Sequence, residues 1–170
     1  MAARSDEPVT LDVTGRPVAL RSLDLGTFFR PRTVAVIGAS DTPGRPTTAM
    51  HRKISAWARH HGATVHPVNP NRDAIDGIPC HPTILDVPGD VDLACILVGD
   101  PLEVLPQVIE KKARFAVIFA AGFAETGPEG ARRQAALAAM IEGSDLHVLG
   151  PNTNLNAFEI FREDLPGRGI

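Results

Sequence analysis

The sequence contains few aromatic residues and few cysteines. Among its 170 residues there is no tyrosine, one tryptophan and two cysteines, and aromatic residues make up only 5%. The two cysteines, Cys80 and Cys95, each lie in an apolar context, so neither a disulfide framework nor a zinc site is supported. No group of His, Cys and Asp residues has the spacing of metal ligands, and we therefore predict no metal site.

Long apolar runs and an excess of charge of one sign are missing as well. No apolar stretch is long enough to span a bilayer, and the amino terminus has no apolar signal core. The formal net charge is only −3 and the arginines are scattered. We therefore predict neither a nucleic-acid nor a membrane partner. With 44% hydrophobic and 22% charged residues, the composition is that of an ordinary globular protein. We expect the protein to lie in the cytoplasm.

Strand-like and helix-like patterns alternate along most of the chain. We predict strands at 33–37, 64–68, 91–98, 115–119 and 146–149, and helices at 47–61, 102–109 and 129–141. Such alternation predicts an α/β fold with a Rossmann-like, doubly wound parallel sheet.

The ends of these elements carry local signals. We expect Gly62 to stop the first helix, Asp100 to cap the second, and Glu125 and Glu129 to cap the third. The third helix offers the packing positions Ala131, Ala135, Leu137, Ala138 and Ile141. We expect 74–82 to be mostly turn, with a very short strand around Cys80, and 83–87 to be a brief helical turn capped by Thr83.

The two ends differ from this central part. Residues 1–22 are polar and lack periodicity, which predicts a partly flexible N-terminal arm, although 9–13 could pair as an edge strand. A single domain is expected over 23–155, followed by a linker over 156–170 that leads toward a second domain. The chain stops on Gly-Ile, one residue after a Pro-Gly turn, and we interpret it as a fragment of something longer.

The segment from Thr33 to Gly44 is the most informative part of the sequence. A run rich in β-branched residues ends abruptly at Gly38, and a Pro-Gly turn at Pro43 and Gly44 precedes the first long helix. Strand, glycine turn and helix form the opening of a nucleotide-binding α/β domain. Glycine lets the backbone approach a phosphate closely, and free amides at the start of a helix face the anion.

The same turn does not suit a dinucleotide. An NAD-binding fingerprint needs Gly-x-Gly-x-x-Gly after the first strand and an acidic residue at the end of the second. Only Gly38 of that pattern is present, and the second strand ends in Pro-Val-Asn-Pro at 67–70. Asp73 follows only after a proline turn. Both failures argue against NAD. We keep an NAD(P)-binding domain of an oxidoreductase or a redox sensor only as the alternative interpretation.

Five short motifs occur in order between Phe28 and Asn152. They are Phe28–Gly44, His66–Pro70, Gly77–Pro82 followed by Val91–Ala94, Ala121–Glu125, and Leu149–Asn152. This set resembles the CoA-binding domain of NDP-forming acyl-CoA synthetases, which are relatives of the succinyl-CoA synthetase alpha subunit. The resemblance implies a Rossmann-like CoA-binding domain with coenzyme A as its cofactor.

Residue by residue, the resemblance implies a site at the carboxyl ends of the strands. It assigns the CoA phosphates to the glycine turn, the adenosine side to the loop after the second strand with Asn71 or Arg72 near the ribose phosphate, and the pantetheine path to two later loops. The predicted binding residues are Gly38, Ala39, Ser40, Asp41, Pro43, Gly44, Val68, Asn69, Pro70, Arg72, Val98, Phe119, Ala120 and Ala121.

Two positions depart from the family pattern. Relatives continue after the Pro-Gly turn with Gly-x-x-Gly, whereas this chain has Arg45-Pro46-Thr47-Thr48. Relatives also carry a cysteine after Gly-Pro-Asn, and here Thr153 stands in that place.

The resemblance implies a binding module and not a complete enzyme. The family joins an acid to CoA with consumption of an NTP, through an acyl phosphate and a phosphohistidine on a domain absent here. The sequence shows no Ser-His-acid set and no acid pair, so we predict no catalytic residue. The implied partners are CoA and the ligase and ATP-grasp domains or subunits of the same enzyme, with a homo-oligomer left open. A ligand-free subunit scaffold is a further alternative, motivated by the altered turn at Arg45 and Pro46.

Overall fold

The computed structural model describes residues 24–153 and, before them, two short strands, β1 (Thr10–Leu11) and β2 (Pro17–Val18). These strands pair antiparallel with each other in a sheet of their own. Of the predicted strand at 9–13, the described residues Thr10–Leu11 therefore belong to this separate sheet and not to the five-stranded sheet of the domain. The rest of the predicted arm up to residue 22 and the linker at 156–170 lie outside the described residues.

The remaining elements alternate as predicted. The strands are β3 (Thr33–Ile37), β4 (Thr64–Val68), β5 (Ala74–Ile75), β6 (Ile78–Pro79), β7 (Leu93–Ile96), β8 (Phe115–Ile118) and β9 (His147–Leu149). The helices are α1 (Leu25–Phe29), α2 (Pro46–His60), α3 (Leu105–Glu110) and α4 (Pro128–Ile141), with 3₁₀ turns at Ile84–Asp86, Pro101–Glu103 and Ala124–Thr126. None of the helices in the described part of the chain is long and apolar enough to cross a bilayer.

Five of these strands form one parallel sheet in the order β4-β3-β7-β8-β9. This is the doubly wound parallel sheet that the sequence predicts. The strand order reverses between β3 and β7. In open α/β sheets the crevice for a ligand lies at the carboxyl ends of the strands beside such a switch point.

The central strand β3 is buried on both faces. Val34 and Val36 pack with α2 on one side, whereas Ala35 and Ile37 pack with α3 and α4 on the other. All four are less than 5% exposed. Because both faces of the sheet are covered, its strands read as continuous apolar runs and not as alternating ones.

Helix α2 covers the first of these faces. Its buried positions include Ile54, Trp57 and Ala58, which recur at the three- and four-residue spacing of an amphipathic helix. The helix begins at Pro46, where proline is well tolerated because a first-turn amide has no partner within the helix. It ends before Gly62, whose φ of 76° is the left-handed stop that the sequence predicts.

Helix α4 covers the other face with a narrower stripe than expected. Leu137 is buried, but Ala131, Ala135 and Ala138 are exposed, although the sequence suggests them as packing positions. The closest approach is at Gly130, where an added Cβ would stand 1.8 Å from the Phe123 carbonyl oxygen. Contact at this glycine fixes which stripe of the helix faces the core.

The segment between β4 and β7 holds two short strands, where the sequence predicts mostly turn and one very short strand around Cys80. Strands β5 and β6 form a hairpin whose two central residues, Asp76 and Gly77, have φ of 47° and 77°. Positive φ at both positions is the geometry of the tight turn that matches strand twist. Thr83 caps the following 3₁₀ turn, as predicted.

Candidate functional site

The predicted binding residues lie at one edge of the sheet. They fall at or just beyond the carboxyl ends of β3, β4, β7 and β8. Because these strands are parallel, their carboxyl ends meet on the same side of the molecule. The site therefore consists of neighbouring loops and not of one continuous motif.

Gly38 is the point where three of these loops meet. Its N–H donates to the Val68 carbonyl oxygen over 2.9 Å. Its φ is 81°, and an added Cβ would stand 2.9 Å from Val98 Cγ1 and 3.0 Å from the Val98 nitrogen. Glycine is thus required here twice, for a left-handed backbone and for the close approach of the β3 and β7 loops.

Small side chains hold the turn after Gly38. Ala39 is fully buried and Ser40 is 6% exposed. The Ser40 hydroxyl oxygen accepts from the Thr42 N–H over 3.1 Å, and the Thr48 hydroxyl donates to the Thr42 carbonyl over 2.7 Å. Thr42 and Thr48 are outside the predicted set, although hydroxyl residues that bond nearby backbone are a recognisable turn signal.

The loop after β4 closes onto this turn. Asn69 donates from Nδ2 to the Ala39 carbonyl oxygen over 2.8 Å, and its Oδ1 accepts from the Asn71 N–H over 2.9 Å. The Arg72 guanidinium donates to the Thr42 hydroxyl oxygen over 3.0 Å. Two predicted residues of the adenosine side thereby contact the predicted phosphate turn, and Arg72 brings an exposed positive charge to it.

The start of α2 offers few free amides. Pro46 has no N–H, and the Thr48 and Ala49 amides point to the Arg45 carbonyl oxygen over 3.1 and 3.4 Å. Arg45 is the exposed N-cap residue and makes no side-chain capping bond. Charge at this turn is therefore supplied by arginine side chains on either side of it in addition to the helix dipole.

The other half of the edge is lined by the loops after β7 and β8. Val98, Phe119 and Ala120 are half-buried, and Ala121 is exposed. The Asn152 N–H, in the loop after β9, donates to the Ala120 carbonyl oxygen over 2.8 Å. This half is more apolar than the half formed by the glycine turn and the Asn69 loop. The backbone hydrogen bond from Asn152 links the loops after β8 and β9.

Residues next to the predicted set also shape this half. Asp100 accepts from the Leu102 N–H over 3.1 Å, as the predicted helix cap, and pairs with Arg133 of α4 over 3.2 Å. Glu125 does not cap α4 as expected: its carboxylate accepts from the Gly122 N–H over 2.8 Å. Hydrogen bonds from backbone amides hold the pKa of Glu125 below its usual value. Its ionised carboxylate therefore stabilises the loop that follows β8.

The ionisable groups near the site are unsuited to covalent chemistry. Burial raises the pKa of the Cys80 thiol, and burial raises that of Cys95 far more. Both are therefore neutral thiols at neutral pH and poor nucleophiles. Burial also lowers the pKa of His51 on α2. Within residues 24–153 no three His, Cys, Asp or Glu side chains lie together as metal ligands would.

Comparison with known proteins identifies the family. A family model described as a CoA binding domain matches residues 32–158, which is most of the chain. The chain belongs to this family of CoA-binding domains. The sheet, the glycine turn and the Asn69 loop described above all lie within the matched range.

The curated relatives are longer proteins. The chain is 37% identical over 136 residues to the ADP-forming acetate–CoA ligase II of Archaeoglobus fulgidus, covering 76% of this chain and 19% of the ligase. It is 34% identical over 145 residues to the alpha subunit of the ADP-forming acetate–CoA ligase II of Pyrococcus furiosus, covering 78% of this chain and 31% of that subunit. The chain thus spans less than a third of the length of either relative.

Solved structures agree with this family. The dinucleotide-forming acetyl-coenzyme A synthetase 1 of Ca. Korarchaeum cryptofilum, solved in complex with phosphate and ADP, superimposes with a TM-score of 0.69 at 32% identity. The match covers 76% of this chain and 27% of that protein. The Rossmann-like fold predicted from the sequence is therefore also the fold of that relative's matching part.

Proposed function

We propose that this chain holds coenzyme A at the carboxyl edge of its sheet, as the CoA-binding part of an NDP-forming acyl-CoA ligase. The observation that carries the proposal is the contact between the two predicted nucleotide loops, in which Asn69 bonds Ala39 and Arg72 bonds Thr42. The family match over 32–158 supports coenzyme A as the ligand.

The phosphates of CoA lie against the turn from Gly38 to Gly44, because this turn combines a close backbone approach with the nearby charge of Arg72. The adenosine side contacts Val68, Asn69 and Pro70. The pantetheine arm extends past Val98 and along the loop at 119–121, where the half-buried side chains of Val98, Phe119 and Ala120 suit its methyl and methylene groups. These residue roles follow the family pattern and the edge of the sheet at which the loops meet.

The reaction itself belongs to the larger enzyme. Such a ligase converts an acid, CoA and an NTP into acyl-CoA, NDP and phosphate through an acyl phosphate and a phosphohistidine. In our proposal the phosphohistidine lies on a separate ligase domain, and an ATP-grasp domain or subunit binds the nucleotide. This chain presents the CoA thiol to them in the cytoplasm. The two thiols near its site are neutral and poorly nucleophilic, which suits binding better than catalysis.

Calorimetric titration with CoA tests the proposal. Arg72→Ala removes the charge next to the turn and is expected to weaken CoA binding about tenfold, or ~1.4 kcal/mol. Arg59→Ala is the matched control, because Arg59 is an exposed arginine near the far end of α2. Replacing Gly38 is a poorer test, since any added side chain collides with Val98 and disturbs the fold as well as the ligand.

Each alternative gives a different result. A folded chain that binds no CoA at millimolar concentration would contradict the proposal. A change in NADH fluorescence on mixing would favour an NAD(P)-binding domain. Absence of binding to either ligand, with assembly onto a partner subunit intact, would favour the scaffold.

A further inference from the structure

Two histidines outside the proposed CoA site lie against each other. Nδ1 of His66 is 3.2 Å from Nε2 of His81, and the ring centroids are 5.3 Å apart at an angle of 50°. Both side chains are half-buried. The CoA-binding role assigns neither of them a task.

The backbone fixes this pair. His66 belongs to the edge strand β4, and His81 forms a parallel bridge with Val68 of the same strand. The His81 N–H donates to the Pro67 carbonyl oxygen, and the His81 carbonyl oxygen accepts from the Asn69 N–H, each over 2.9 Å. Since both residues are tied to one strand, little conformational freedom is lost when the two imidazoles act together.

The separation of the two nitrogens suits a shared metal ion. A zinc ion binds imidazole nitrogen at about 2.0–2.1 Å in a tetrahedral arrangement, which places two ligand nitrogens about 3.3–3.4 Å apart. We propose that His66 Nδ1 and His81 Nε2 chelate one divalent cation that favours imidazole, such as Zn²⁺, Ni²⁺ or Cu²⁺. Without the ion, the same separation holds one N–H···N hydrogen bond.

The surroundings make this an exchangeable site. Both imidazoles are only half-buried, which leaves them open to ions from solution. Lys111 donates to the Val87 carbonyl oxygen, and its positive charge opposes a cation. Within residues 24–153 no third His, Cys, Asp or Glu completes a cluster, so water fills the open positions.

Titration of the whole chain with Zn²⁺, without CoA, tests the proposal. One ion is expected to bind per chain, with affinity reduced at least tenfold in His66→Gln and in His81→Gln. The double variant His60→Gln/His61→Gln is the control, because these neighbouring histidines also lie with ring centroids 5.2 Å apart but at the end of α2. That variant is expected to bind as the unaltered chain does.

A measurement on the unaltered chain removes any dependence on the folding of the variants. Cu²⁺ is paramagnetic and broadens the NMR signals of the imidazoles that it contacts, so the signals of His66 and His81 should broaden first. Absence of Zn²⁺ binding, equal binding in all variants, or initial broadening at His60 and His61 would each overturn the proposal. Because no readout uses CoA, failure here leaves the proposed CoA function untouched, and the reverse also holds.

Discussion

The two halves of the carboxyl edge are built in different ways. On the nucleotide side, one backbone bond joins Gly38 to Val68 at the strand ends, and side chains make the further links between the loops, from Asn69 to Ala39 and from Arg72 to Thr42. On the pantetheine side, the loops after β8 and β9 are joined largely by backbone, through the Asn152 N–H and the close packing of Gly150 against Ile118. One half is polar and charged, and the other is more apolar.

This difference predicts how each half tolerates change. A side-chain hydrogen bond contributes about 1 kcal/mol and can be removed without altering the path of the chain. A backbone contact that leaves no room for a Cβ has no such tolerance, since any substituent forces the chain apart. Substitutions of the linking side chains on the nucleotide side should therefore have graded effects. Substitutions of tightly packed glycines, Gly150 on the pantetheine side and Gly38 where the two sides meet, should have severe effects.

The largest expected effect is at Gly150. An added Cβ there would stand 2.4 Å from the Ile118 carbonyl oxygen, at a φ of 113°. Gly150→Ala should lower the free energy of unfolding by at least about 3 kcal/mol, because steric overlap adds to backbone strain. Gly89→Ala is the control: Gly89 also has positive φ, 69°, but an added Cβ meets nothing within 4 Å. Equal losses in urea denaturation of the two variants would contradict this account.

A smaller effect is expected at Asn69. Asn69→Ala removes the bond to Ala39 and the acceptor for the Asn71 N–H, and should lower the free energy of unfolding by about 1–2 kcal/mol. It should also weaken CoA binding, because the two nucleotide loops are no longer tied together. Asn71→Ala retains the Asn71 N–H and should change the free energy of unfolding little. If denaturation shows the same loss in both variants, the side-chain link between the loops is not important.

The smallest effect concerns pH. Burial lowers the pKa of His51, beneath the nucleotide side, from its ordinary value of 6.5. At a pH below about 6.5, His51 is therefore protonated in the unfolded chain but not in the folded chain. The free energy of unfolding falls as the pH drops through this range. His51→Gln should lose less stability between pH 7 and pH 5 than the unaltered chain, with His66 still contributing to the fall. Denaturation at several pH values measures this slope, and an unchanged slope would show that His51 is not responsible.

Much of the fold could be predicted because its signals are local. The apolar runs at Thr33–Ile37 and Thr64–Val68 are strands with the predicted bounds. Gly62, Thr83 and Asp100 act at element ends as predicted, because the conformations of glycine and the capping bonds of short polar side chains involve only nearby residues. The predicted strand from Val91 is shorter in the structure, since apolarity continues beyond the paired residues.

Part of the site could be predicted for a different reason. The ordered motifs place Gly38 and Asn69 after neighbouring strands, and parallel strands bring their carboxyl ends together. The binding roles of these residues stay predictions. The contacts of Thr48 and Arg72 with Thr42 were not predictable, because they depend on how far each loop bends back over the edge.

By itself the sequence determined a doubly wound sheet, a glycine turn unsuited to a dinucleotide, and membership of a family that binds CoA. Those conclusions rest on periodicity, glycine placement and motif order, which act along short stretches of chain. Only the tertiary structure decided that Asn69 reaches Ala39, that Gly150 leaves no room for a side chain, and that His66 meets His81. These contacts join residues distant in sequence, so strand pairing and loop paths had to be known first.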